Sequence, residues 1–599
     1  MKKTTLAYTL MLLLFCVTGS QKLFSQSLIE IPIDKQIYNS NLIVEGKVVS
    51  QKSYWNAEKN NIYTSNTVEV YKVFKGNPVE FVEIITVGGV VGLRAQITTH
   101  SLQLTPSSQG MFILKQVGSD RIQSEGSISN SFETYSDSQG FYKYDVISNS
   151  VHNVFTSFKD IEKDFYPKVQ DITKKTVLKI KNNDNLARYK SSQNKSFKPV
   201  GISNISPTSI VAGEEKQLTI SGSDFGNTKG KVSFRDADDG GASFIEALDS
   251  QVLSWNNTTI VVEVPSRAGT GEVRVIHATD ATFDDSSQIL TVTHSEINVI
   301  DGGIAYPTQH VNENGSGGYT WQMFTDFDAN TDAKNAFNRA LDTWRCETKI
   351  NWFVGAVTSV DAVGSTTDGA NVVRFDNGTE LPDGTLGRCT YFISGCGTSP
   401  NINWFVSELD IVFDDGTNWY FGEGATPFVQ YDFQSVALHE LGHGHQLAHV
   451  IDNSAIIDNG NDVMHFNLQN GEFQRVLSSG NLAGGNSLMD RSTTQVPCSG
   501  TSVMTESTTC NLSVEEKQLE QAINMYPNPA SGIIYIENSS SILLEKVMIY
   551  DISGRFISQF DIANGARTKS INLESVSAGL YFVNIHSNAA MITKKLIVK

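Results

Sequence analysis

Residues Asp432-Phe433-Gln434-Ser435-Val436-Ala437-Leu438-His439-Glu440-Leu441-Gly442-His443, followed by Gly444-His445-Gln446-Leu447-Ala448-His449, decide how the chain is read. Asp432 has the chemistry of an N-cap, and the run after it reads as a helix. Residues four apart share a helix face, with Cβ atoms about 6 Å apart. His439 and His443 therefore present two imidazoles to one point, where they can bind a Zn²⁺ at about 2.0–2.1 Å each. Glu440 is too poorly aimed to join that pair, but it can reach a metal-bound water and take its proton as the water attacks a carbonyl. A third ligand is required, and His449 is the candidate. A continued helix would carry it about 9 Å along the axis and about 240° around it, so the helix must stop and the chain double back. Gly444 can end the helix; otherwise Gln446 takes a left-handed conformation at a cost of about 1–2 kcal/mol. His445 is the competing ligand, although two residues from His443 it points to another side of the helix.

The pattern His439-Glu440-x-x-His443-x-x-x-x-x-His449 resembles the metzincin zinc peptidases, in which a third histidine follows the second by six residues. That family places a glycine midway, and this chain has Gln446 there. Asp462-Val463-Met464-His465-Phe466 resembles the family's Met-turn, with Met489 in Asn486-Ser487-Leu488-Met489-Asp490 as the alternative. Astacin-like members carry a tyrosine two residues after the methionine; Phe466 stands there, and the lead-in Tyr431 to Leu438 is closer to matrixins. The resemblance implies a zinc endopeptidase acting on extracellular proteins or peptides, with His439, His443 and His449 as ligands and Glu440 as general base. Around the motif, Ala333 to Trp344 has helical apolar spacing, and Ile350 to Val354, Val372 to Phe375 and Leu409 to Phe413 read as strands. An α+β catalytic domain over residues 300–512 is expected, with Leu409 to Phe413 as the edge strand to which an extended peptide adds. Ca²⁺ bound through Asp410, Asp414 and Asp415 is weighed against solvated loop aspartates.

Further out, the chain reads as several all-β modules. Its 599 residues exceed one core. Lys2 and Lys3 before the apolar run Leu6 to Val17 give residues 1–25 the form of a signal peptide, so an exported mature chain with no transmembrane segment is expected. Strand-like runs Leu42 to Val49 and Thr67 to Val73 make residues 27–172 a small barrel or sandwich, OB-like. It is expected to be a pro-region or docking arm. A lysine-rich stretch, residues 173–198, reads as a basic linker, and proteolytic nicking is expected near Arg188 and Lys190. Residues 199–295, with Ile205-Ser206-Pro207, Leu218 to Gly226 and Ile260 to Pro265, resemble an immunoglobulin-like IPT/TIG domain, a spacer expected to do no chemistry. After a linker at 513–523, residues 524–599 begin Tyr526-Pro527-Asn528-Pro529 and end Lys594-Lys595-Leu596-Ile597-Val598-Lys599. They resemble the β-sandwich C-terminal sorting domain of type IX secretion. This implies passage through periplasm and outer membrane, with the type IX machinery as partner and release or attachment at the surface.

A net charge of −18 argues against a nucleic-acid partner. Of the cysteines, pairs Cys498–Cys510 and Cys389–Cys396 are expected, leaving Cys346; pairing of Cys346 with Cys389 or Cys396 is the alternative. No cysteine of the expected mature chain precedes Cys346, which excludes a propeptide cysteine capping the zinc. The competing reading of the whole is a cell-surface adhesin with a non-catalytic zinc site, and a third is a carbohydrate-binding surface protein. Glu440 argues for the enzyme, because a purely structural site has no use for a base.

Overall fold

The computed structural model describes the chain outside residues 1–27, 119–120, 122–130, 185, 187–199, 280–281, 361–368, 379, 452–461, 467–469, 509–518, 520–521, 540–541, 553–554, 563–566, 575 and 588–590. The expected signal peptide, Cys510, Arg188 and Lys190 lie outside the described residues.

The N-terminal strands are β1 (Leu42–Trp55), β2 (Ile62–Lys75), β3 (Phe81–Val87), β4 (Gly89–Val91), β5 (Arg94–Thr98), β6 (Gln109–Gln116) and β7 (Ser131–Thr134). β1 pairs with β2 and β6, β2 with β3, β3 in parallel with β7, and β7 with β6. The ring closes as a five-stranded barrel of the OB-like kind expected. Inward-facing Val44, Val48, Val68, Val70, Phe112 and Leu114 alternate along the strands and form its core. The expected linker begins inside this domain rather than after it. Leu178–Lys179 pairs with β2, and Asn183 donates to Glu45 Oε1 at 2.9 Å. Buried Glu45 supplies the reason: a carboxylate without water must find donors, and Asn183 and Lys72 provide them. Strands β4 and β5 leave the barrel as a hairpin.

Residues 201–295 fold as a sandwich. One sheet runs Gly201–Ser206, Gln217–Ser223, Thr259–Glu263, Val252–Trp255, and the other Phe244–Glu246, Lys231–Asp236, Ala268–Ile276, Phe283–Asp285. Leu218, Ile220, Phe225, Val232, Phe234 and Val262 fill the space between them.

The next region contains β8 (Tyr319–Met323), α1 (Thr331–Glu347), β9 (Trp352–Val354), β10 (Asn371–Phe375), β11 (Gly387–Thr398), β12 (Asn401–Phe413), α2 (Phe433–Gly444) and α3 (Ser479–Thr494). Its sheet runs β9-β8-β10-β12-β11, parallel except for antiparallel β11. The stripe Ala333, Ala336, Phe337, Ala340, Leu341 and Trp344 buries α1 against α2 and the sheet. Leu409 to Phe413 is not the edge strand expected, because the β11–β12 hairpin places β11 outside it. Its near-continuous apolar run is the mark of an interior strand. β11's outer edge is taken by β5, antiparallel from Thr98↔Thr390 to Arg94↔Ser394.

The disulfide expectations fail. Cys396 pairs with Cys498, Cys346 is disulfide-bonded too, and Cys389 is buried and free. Cys389 and Cys396 share strand β11, where seven residues span about 23 Å, far beyond disulfide reach. Within 523–598 the described residues form seven strands around Ile534, Ile536, Val547, Val583 and Leu596. Among the described residues no helix is long and apolar enough to cross a membrane.

Candidate metal centre and active site

Asp432 caps α2 as expected, accepting the Ser435 amide at 2.8 Å, with Arg475 Nε donating to the same oxygen at 3.0 Å. Every residue of α2 is buried, so the helix runs through the core and its register is fixed by packing. Both expected devices end it. The helix stops at Gly444, and Gln446 adopts φ +68°. The Gln446 amide donates to His443 O at 2.7 Å and that of Leu447 to Gly442 O at 3.0 Å, the double closure that usually carries glycine. Thr308 Oγ1 donates to Gln446 Oε1 at 2.8 Å, and the Ile297 amide to Gln446 O at 2.9 Å. These bonds offset the left-handed cost, and the chain turns back to deliver His449.

The three expected histidines converge. His443 Nε2 lies 3.0 Å from His439 Nε2 and 3.2 Å from His449 Nε2. Each opposite nitrogen faces an oxygen: His439 Nδ1 sits 2.6 Å from Val463 O, His443 Nδ1 2.8 Å from Leu447 O, and His449 Nδ1 2.8 Å from Asp238 Oδ1. Protons belong on the three Nδ1 atoms, since a carbonyl or an ionised carboxylate can only accept, and this leaves three Nε2 lone pairs facing one another. Three converging lone pairs repel unless a cation lies between them, so the donor set fits Zn²⁺. Burial, with neighbouring imidazoles second for each, holds His439 and His443 well below the usual histidine pKa, which keeps them neutral donors. The competitor His445 is turned away. Its Nε2 meets Thr348 Oγ1 at 3.0 Å, its ring packs on Trp344 and Trp352, and burial pushes its pKa down to about 3.

Met464 Sδ packs against α2 so closely that Gly442, between His439 and His443 in sequence, has no room for a Cβ. Glu440 is fully buried beside the start of β11. Its Oε1 is 3.2 Å from His100 Nε2, and its Oε2 accepts from Thr99 Oγ1 at 3.2 Å. Burial works to raise its pKa, but His100, His439 and Thr99 together outweigh it and hold the carboxyl below its usual range.

Thr99, His100 and Asp238 went unread in the sequence. Each is a lone residue far along the chain from α2, with no spacing to mark it. Asp238 belongs to a short turn, Ala237–Asp239, of the module expected to do no chemistry. Arg267 Nε holds its other oxygen at 2.7 Å. That turn is a seat for the segment carrying Phe466, since Gly240 is bare where Phe466 packs on it. For Ca²⁺, Asp376, Asp414 and Asp415 gather, whereas Asp410 is spent inside the sheet on the Val372 amide at 2.8 Å. Asp376 Oδ1 in turn accepts the Asp415 amide at 3.0 Å, so the group also shapes its own loop.

Residues 524–599 match the family described as secretion system C-terminal sorting domain. Residues 199–293 match the IPT/TIG domain. The sorting domain marks an exported protein, secreted or held at the cell surface, and implies the secretion machinery as partner. No curated protein matches the chain. Among solved structures, one of unknown function from Bacteroides thetaiotaomicron VPI-5482 is 21% identical over 16% of this chain and 22% of its own length, with a TM-score of 0.14. The sulfur carrier protein SoxY from Chlorobium limicola f thiosulfatophilum is 12% identical over 13% of this chain and 79% of its own, with a TM-score of 0.11. The chain thus spans less than a quarter of the first of these.

Proposed function

We propose that the protein is a secreted zinc-dependent endopeptidase of metzincin type. The observation that carries this reading is the convergence of His439, His443 and His449 beside a buried carboxylate that holds no ligand position, Glu440. Zinc bound there would supply Lewis acidity and lower the pKa of a water. The chain's own residues do the rest. The Nδ1 bonds to Val463 O, Leu447 O and Asp238 fix the rings, and Glu440 takes the water's proton and returns it to the leaving amine. Strand β11 borders the site, and its outer edge, which β5 occupies in this structure, is the edge an extended peptide would pair with once β5 leaves it. The adhesin reading keeps the same histidines but leaves Glu440 without work.

The test uses protein recovered from the culture medium, assayed on casein with and without a chelator, beside its Glu440→Ala variant. Hydrolysis lost with the chelator, and reduced about 10²–10⁴-fold in the variant while zinc content is kept, is expected. Equal hydrolysis in all three samples would remove the enzyme and favour the adhesin.

A further inference from the structure

We propose that the N-terminal barrel is a built-in inhibitor of this site, with His100 as its plug in the fourth coordination position. The inference rests on the zinc peptidase reading above. It begins with β5, which leaves the barrel and adds to the outer edge of β11, the edge an extended substrate would need. The pairing continues past the strand. The Thr99 amide donates to Cys389 O, and the Cys389 amide to Thr99 Oγ1, both at 2.9 Å. The backbone then turns through a left-handed residue, His100 at φ +58°, a conformation that a histidine keeps only when its surroundings impose it.

That turn aims the imidazole inward. Its side chain is 2% exposed, and a ring nitrogen lies within 4.8 Å of the ligand nitrogens of His439, His443 and His449. The ring stacks on that of His439 at 5.7 Å between centroids. A hydrolytic zinc site needs an open position for water and substrate, and here an imidazole stands at that opening. The base is engaged as well, since both Glu440 oxygens face the hairpin, one toward His100 and the other toward Thr99. Further out, Arg388 Nη2 meets Asp137 Oδ2 at 3.1 Å and Tyr135 Oη donates to Asp383 Oδ2 at 3.1 Å. The barrel is thereby seated along the same strand and the loop before it. One hairpin covers the peptide edge, the open metal position and the base together, without a cysteine.

The test uses the full chain loaded with zinc, examined by X-ray absorption, beside His100→Ala. The wild-type spectrum is expected to fit four imidazole nitrogens, and the variant three with one oxygen. Acetohydroxamate, a small zinc-binding probe, is expected to bind the variant at least tenfold more tightly, and peptide hydrolysis to rise at least tenfold. Three imidazoles and a water in the wild type, with equal hydroxamate affinity in both proteins, would overturn the inference and leave the peptidase reading standing; this measurement needs no substitution to fold. A His100→Ala protein that holds a water-bearing zinc but hydrolyses no more than its Glu440→Ala double variant would overturn both.

Discussion

His449 and His445 are four residues apart and meet opposite fates, one beside the Nε2 atom of His443 and one in a cage of Trp344, Trp352 and Thr348. Replacing His449 by Ala should therefore lower zinc content sharply in a metal assay of purified protein, whereas His445→Ala should keep zinc stoichiometric. The reverse result would reassign the third ligand. At this scale the sequence is legible where chemistry is local. His439, Glu440 and His443 sit on one helical turn, and helical geometry alone brings the two imidazoles together. His449 needs only the further condition that the chain reverse. His100 and Asp238 are different, because they reach the site across 340 and 211 residues of chain. Nothing in a linear pattern distinguishes them from other histidines and aspartates; only the folded seams do.

Among the elements, the end of α2 can be tested by its odd residue. Gln446→Gly would relieve a left-handed strain of about 1–2 kcal/mol. It would also lose the buried bond from Thr308, about 0.5–1.5 kcal/mol, and add about 0.5–1 kcal/mol of unfolded-chain freedom. These terms nearly cancel, so thermal unfolding should shift by only a few degrees and zinc should be retained. A branched residue keeps the strain without the bond, and Gln446→Val should destabilise by more than about 2 kcal/mol. The turn Ala237–Asp239 lies in a separate module, yet its Asp238 holds His449 and would tune zinc bound by the three histidines. Asp238→Asn should weaken zinc binding about 10–100-fold in a competition titration with a chromophoric chelator. An unchanged affinity would return that module to the role of spacer. Strand existence was readable here from alternation and apolar runs, but the order of strands was not. The resemblance to matrixins implies Leu409 to Phe413 at the sheet edge, and the hairpin that covers it depends on pairing that no local pattern displays.

For the whole molecule, the exported state depends on the last module. Removing residues 524–599 should leave the chain in the periplasm, and mass spectrometry of medium, surface and periplasmic fractions would check it. Protein that still reaches the medium would show that the sorting domain is dispensable. The IPT/TIG and sorting modules were legible because each carries its own short-range strand pattern. How the modules lean on one another was not, since the contacts made by Asp137, Asp145 and Asp238 join residues of separate modules. The hairpin carrying His100 has one consequence that follows from being part of the same chain. Tethered groups meet at effective concentrations that reach the millimolar range. A plug whose intrinsic dissociation constant lies about tenfold below that concentration would therefore occupy its site about nine-tenths of the time while tethered. After a single backbone cut at nanomolar protein, the same plug would be diluted about a million-fold and would not return. Weak local contact and near-complete release are then compatible, and the irreversibility lies in dilution rather than in the strength of any bond.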